Sequence, residues 1–129
     1  MKPVDQTIFG FEKGNCMQAC IASIFEVSLD EIPNFMRDGE KNYLYNLNEW
    51  CDEFGIICFD VGADGDSSKI FKDMHVIITG KSPRDESKQH AVIYYNGKMI
   101  HDPHVDKTGI IGEPLFIMVF AIKNYPEFQ

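Results

Sequence analysis

Hydrophobic positions along the chain change rhythm near its middle. Met17, Cys20, Ile21, Ile24 and Phe25 recur at helical spacing, while Ala19, Ala22 and Ser23 keep the other side small. A helix that neighbours can approach on both sides is expected at the centre of the fold. Ser28-Leu-Asp-Glu31 has the form of a capping box opening a short helix that Pro33 ends. Leu44, Leu47, Trp50, Cys51 and Phe54 mark a third helix near residues 41 to 54, with Gly55 as its stop. From there the pattern becomes extended. Ile56–Val61 and His75–Thr79 are predicted strands, with a Gly/Ala/Asp/Ser loop between them and a polar loop from Lys81 to Lys88. His90–Tyr95 and Lys98–Asp102 flank Asn96-Gly97, a strong hairpin signal. Leu115–Ile122 is apolar enough to be a strand buried on both faces. Helices followed by an antiparallel sheet predict an α+β fold, and no linker or repeat divides residues 1–129, so one domain is expected.

Composition narrows the class. Hydrophobic residues make up 44% and charged residues 25%, an ordinary globular balance, and no apolar run has membrane-span length. The first 15 residues lack an apolar segment of signal-peptide length, so a cytoplasmic protein of a bacterium, or of something that infects one, is expected. A net charge of −8 disfavours a nucleic-acid partner and mildly favours a basic or neutral protein or peptide substrate. Mimicry of nucleic acid would need a denser acidic surface than these scattered residues give, and stays a minor option beside an ordinary solvated surface. No membrane partner is expected.

Four cysteines, Cys16, Cys20, Cys51 and Cys58, are expected as free thiols in a reducing compartment. Cys16 and Cys20 have zinc-ligand spacing, but Cys51 and Cys58 do not complete a site, so neither a metal nor another cofactor is expected. Cys20 lies near the apolar stripe and should pack. Cys16 falls at its margin, in the first helical turn, where free N–H groups and the helix dipole favour a thiolate. Gly14-Asn15 permits the sharp approach, and the Cys16 N–H can help hold an oxyanion.

A cysteine at a helix start is more often a packing residue than a nucleophile. The hairpin shifts that balance. It brings His90, opening one strand, beside Asp102, closing the next, the relation by which a carboxylate orients an imidazole. Cys16, His90 and Asp102 are therefore the candidate catalytic residues. His101 should face away from Asp102, and His101 and His104 are read as solvated or hydrogen-bonded groups, His75 as structural. Trp50, Tyr43, Tyr45 and Phe54 are read as core, and Met17 as either a groove border or packing.

The Gly-Asn-Cys helix start, the His-Ala-Val-Ile strand and the Ile-His-Asp-Pro segment resemble the papain-like cysteine peptidase superfamily. The nearest branch is the leader-peptidase domain of bacteriocin-exporting transporters. The chain also resembles small bacterial and phage proteins with a Gly-Asn-Cys-aromatic-Gln-Ala-Cys helix and a His-Asp-Pro-His segment, over Gln6 to about Pro114. The resemblance implies a thiol hydrolase with Cys16 as nucleophile, His90 as general base and acid, and Asp102 as orienter. It also implies an oxyanion-hole glutamine upstream of the cysteine. Gln6 is the candidate, at a longer separation than usual, with Gly10 and Gly14 available to absorb the extra length. Gln18 points sideways from the helix; Gln89, beside His90, is the lesser rival, and a backbone N–H alone could also serve. Peptide, isopeptide, side-chain amide and thioester bonds are all open to such a triad. The rival class is a non-catalytic binding or inhibitory module on the same scaffold, such as a phage protein acting on host machinery.

Overall fold

A computed structural model describes residues 1–10, 14–35, 42–64 and 70–124. Its elements follow the order α1 (Cys16–Phe25), a 3-10 turn (Leu29–Glu31), α2 (Tyr43–Asp52), β1 (Ile56–Gly62), β2 (His75–Ser82), β3 (Asp85–Tyr95), β4 (Lys98–His101) and β5 (Ile111–Ile122). The fold is α+β. The five strands form one antiparallel sheet in the order β1-β5-β2-β3-β4. The last strand thus inserts between the first two, and its middle, Ile117–Val119, is buried on both faces.

Alternation along the strands divides the core into two layers. Cys58, Ile77, Ala91, Ile93 and Met118 meet Cys20, Ile21, Ala22, Leu47 and Cys51 of the helices. Val76, Ile78, Val92, Ile117 and Val119 face the other way, packed by Phe59, Phe71 and Ile110. Helix α1 is buried from Ala19 to Ser23, as its small side predicts. The segment before it runs along that side: Lys2 N–H donates to the Ser23 carbonyl, Val4 N–H to Ser23 Oγ, and Gln6 N–H to the Pro103 carbonyl. The capping box at Ser28 is formed, with Glu31 accepting from the Ser28 N–H.

Several boundaries differ from expectation. Lys81–Lys88 is not a loop: β2 reaches Ser82 and β3 begins at Asp85, with only Pro83-Arg84 between. Residues 85–89 are all exposed, so they carry no hydrophobic alternation to announce a strand. His90 consequently sits inside β3 rather than opening it. β5 starts at Ile111, four residues early, through Gly112 and Pro114. Its ends are open to solvent at Leu115, Phe116 and Ile122, so burial on both faces holds only for its centre. Tyr45 and Phe54 are exposed rather than core, although Phe54 packs edge-on against Trp50. Residue 41 and residues 65–69, in the expected third helix and the expected Gly/Ala/Asp/Ser loop, lie outside the described residues.

Candidate active site

The helix start is built by Asn15. Its side chain makes no cap to α1; its Oδ1 accepts the N–H groups of Thr7 and Ile8, and its Nδ2 donates to Thr7 Oγ. The Asn15 N–H closes the link on the Ile8 carbonyl. Gly14 cannot be larger, because a Cβ there would lie 2.2 Å from the Gly10 carbonyl oxygen. The preceding chain is thereby folded back beside the first turn of α1, which presents a half-buried Cys16.

His90 acts on the Cys16 thiol through its side chain and charge, and its Nε2 lies 2.7 Å from Asp102 Oδ1. With Nε2 committed to the carboxylate, Nδ1 is the ring nitrogen left for the thiol. Asp102 is buried, yet well supplied with donors: the His104 N–H also reaches Oδ1, at 2.9 Å, and the Gly109 N–H reaches Oδ2, at 2.7 Å. The loop 102–109 is held in place by Lys107, which donates to the Asp102 carbonyl and to Asp5, and by Arg84 on both oxygens of Asp106.

The electrostatics follow from these contacts. Burial pushes the Cys16 thiol up, but the side chain and charge of His90, with the backbone N–H groups of Ala91 and Met17, outweigh it and leave the thiol below its ordinary value. Burial opposes a charge on His90 as well, but Asp102 and Cys16 raise it to about 9. Asp102 is held low: the cost of its burial is overcome by His90 and the two backbone N–H groups. A thiolate–imidazolium pair is the form these shifts favour, titrating as a unit. One turn deeper, Cys20 shows the contrast. It is buried, donates weakly to the Ala91 carbonyl, and is pushed well up by burial. Cys51 is raised to about 11 and Cys58 further still, both by burial first.

Cys16 and His90 open into a groove of about 600 Å³ whose walls include Gln6, Phe9, Met17, Tyr43, Asp60 and His104. Gln6 is buried there, its Nε2 donating to the Ile8 carbonyl and its Oε1 without a partner among the described residues. Gln89 also lines the groove, whereas Gln18 is tied away to the carbonyls of Leu29 and Ile32. His101 is buried on the Val4 carbonyl, and His104 stands edge-on to both Phe9 and His90, so each is a packed, bonded group. His75 packs its ring against Tyr95 at the start of β2. Among the described residues no group of three or more His, Cys, Asp or Glu side chains could hold a metal ion.

The structure thus brings Cys16, His90 and Asp102 together and places Gln6 in the same groove. Sequence reasoning missed the clamp by Asn15 and the N–H groups of His104 and Gly109 on Asp102. A signal for the first was present: an Asn at a helix cap usually bonds forward into its own helix, but its carboxamide is equally suited to bridging a neighbouring segment. No family model, curated protein or solved structure matches the chain.

Proposed function

We propose that the protein is a cysteine-dependent hydrolase of papain-like type acting on an amide or thioester carbonyl of a peptide or protein. The observation that carries the reading is the convergence on one groove of Cys16, at a helix start, and His90, which lowers its thiol and is itself bonded to the buried Asp102 carboxylate. Buried side chains paired only for stability do not need a thiol below its ordinary value at a groove wall.

In this reading the Cys16 thiolate attacks the carbonyl carbon, forming a C–S bond and a tetrahedral oxyanion. The N–H of Cys16 and the side-chain amide of Gln6 are the donors assigned to that oxygen. The His90 imidazolium passes its proton to the leaving nitrogen or sulfur as the scissile bond breaks, leaving a thioester on Cys16. His90 then takes a proton from water, whose oxygen attacks the thioester. The acid departs, the sulfur leaves as thiolate, and His90 is again protonated. Asp102 stays ionised throughout.

Iodoacetamide labelling across pH, with the modified cysteine assigned by mass spectrometry, tests the reading. Cys16 should label selectively well below pH 8, while Cys51, raised to about 11, does not. His90→Ala leaves burial as the main influence on the thiol, so the labelling limb should move upward past the ordinary cysteine value. Hydrolysis of an activated acyl substrate should fall by about 10²–10⁴-fold in the same variant. Equal reactivity of Cys16 and Cys51 would favour the non-catalytic binding module instead.

A further inference from the structure

The groove contains a carboxylate that the triad does not use. Asp60, in β1, lines it together with Tyr43, whose hydroxyl donates to Asp60 Oδ2 at 2.5 Å. Its other oxygen, Oδ1, is shielded from water and has no hydrogen-bond partner among the described residues. Neither does a cation of the described residues pair with it. Arg84, which lines the same groove, is committed to both oxygens of Asp106; Lys107 serves Asp5 and the Asp102 carbonyl, and Lys123 serves Asp52. A partly desolvated carboxylate with one neutral donor and a vacant acceptor is an unsatisfied arrangement that a cationic group would complete. The surroundings suit the stem of a long basic side chain, since Met17, Tyr43 and Phe116 supply apolar wall. A chain carrying a net charge of −8 also draws basic partners toward it.

We propose that Asp60 is the specificity residue of the groove and that it receives a lysine or arginine side chain of the peptide or protein bound there. This inference rests on the reading of the groove as a substrate site, but its first test requires no chemistry.

Cys16→Ala protein is titrated with fluorescein-labelled peptides that differ at one residue: lysine, arginine, norleucine, acetyl-lysine or glutamate. Lysine and arginine peptides should bind about tenfold tighter than norleucine, the scale of one charge-assisted hydrogen bond in a partly desolvated site, and glutamate weakest. Acetyl-lysine, which keeps the length and removes the charge, should bind like norleucine. Adding Asp60→Asn should bring lysine and norleucine within about twofold of each other. Equal binding of lysine and acetyl-lysine peptides would overturn the proposal, as would a lysine preference that survives Asp60→Asn. Circular dichroism checks that the variant folds; if it does not, the acetyl-lysine comparison on the unaltered Asp60 decides. In the Cys16-containing protein, matched peptidyl vinyl sulfones should label Cys16 with the same order of preference. A lysine preference in binding without selective Cys16 labelling would sink the hydrolase reading and leave the assignment of Asp60 standing.

Discussion

Asp102 is closed off from solvent, and both of its oxygens are occupied by donors: His90 and the His104 N–H on one, the Gly109 N–H on the other. Replacing it with Asn keeps the shape, removes the charge and turns an amide donor toward one of these N–H groups or toward His90. Breaking a buried pair of this kind costs about 3–5 kcal/mol. The pH window follows from the two shifts. Asp102 is held below its ordinary value, so its contribution is full above about pH 4 and is lost as pH falls through the lowered value. His90 is raised to about 9, so its contribution is full below about pH 6.5 and is lost as pH rises through 9. Urea denaturation of wild type and Asp102→Asn should therefore differ most between about pH 4 and 6.5. The gap should narrow on either side. The residue types of the triad were legible because cysteine, histidine and Asp-Pro stand at or near element ends. The donors on Asp102 were not, because they are backbone groups whose placement depends on the course of the 102–109 loop.

At the scale of elements, the β3–β4 hairpin contains the decisive irregularity. Outward from the Asn96-Gly97 turn, Tyr95 pairs with Lys98 and Tyr94 with Met99, but Ile93 pairs with His101. Ile100 is the extra residue of a bulge, and it is half-exposed. Were Ile100 paired with Ile93 in a regular ladder, His101 would lie opposite Val92, and alternation would bring His101 rather than Asp102 to the face that His90 shares with Val92. The turn itself was legible, with Asn96 at φ 50° and Gly97 at φ 80°, as a tight hairpin requires. The bulge was not, since nothing in KMIHD distinguishes four paired residues from three and an insert. Deleting Ile100 leaves His101 opposite Ile93 on a regular ladder and Asp102 on its present face, so the far-UV circular dichroism spectrum and selective labelling of Cys16 at neutral pH should both persist. Gly14→Ala tests the other arm of the site. The added methyl meets backbone, so relief requires the 6–10 segment to move, at about 1–3 kcal/mol in a thermal melt. Acyl-substrate turnover should fall further than the loss of folded protein explains, because Gln6 moves with that segment.

For the whole molecule, two apolar layers hold the sheet, and the layer toward the helices also fixes where the first turn of α1 lies. Met118 of β5 is fully buried at the centre of that layer. Met118→Ala should cost about 2–5 kcal/mol in denaturant unfolding. Its position ties the groove to chain segments far apart: β5, the last strand, lies between β1 and β2, and its Met118 shares the layer that packs Cys20 and Ile21 of α1. That insertion also brings Asp60 of β1 and His90 of β3 to the walls of one groove across two intervening strands. No helix of the described residues is long and apolar enough to cross a membrane.

Local chemistry in the sequence determined the α+β order, the small-sided helix with a thiol in its first turn, the Asn-Gly hairpin and the candidate triad. Each depends on spacing or turn preference within a few residues, where side-chain periodicity and backbone sterics act directly. Tertiary structure alone decided the strand order, the bulge that presents Asp102, the clamp that brings Gln6 to the groove of Cys16, and the Asp60 Oδ1 that has no hydrogen-bond partner among the described residues. Those features arise from pairings between distant segments, whose register is set by how the whole core packs rather than by any local preference.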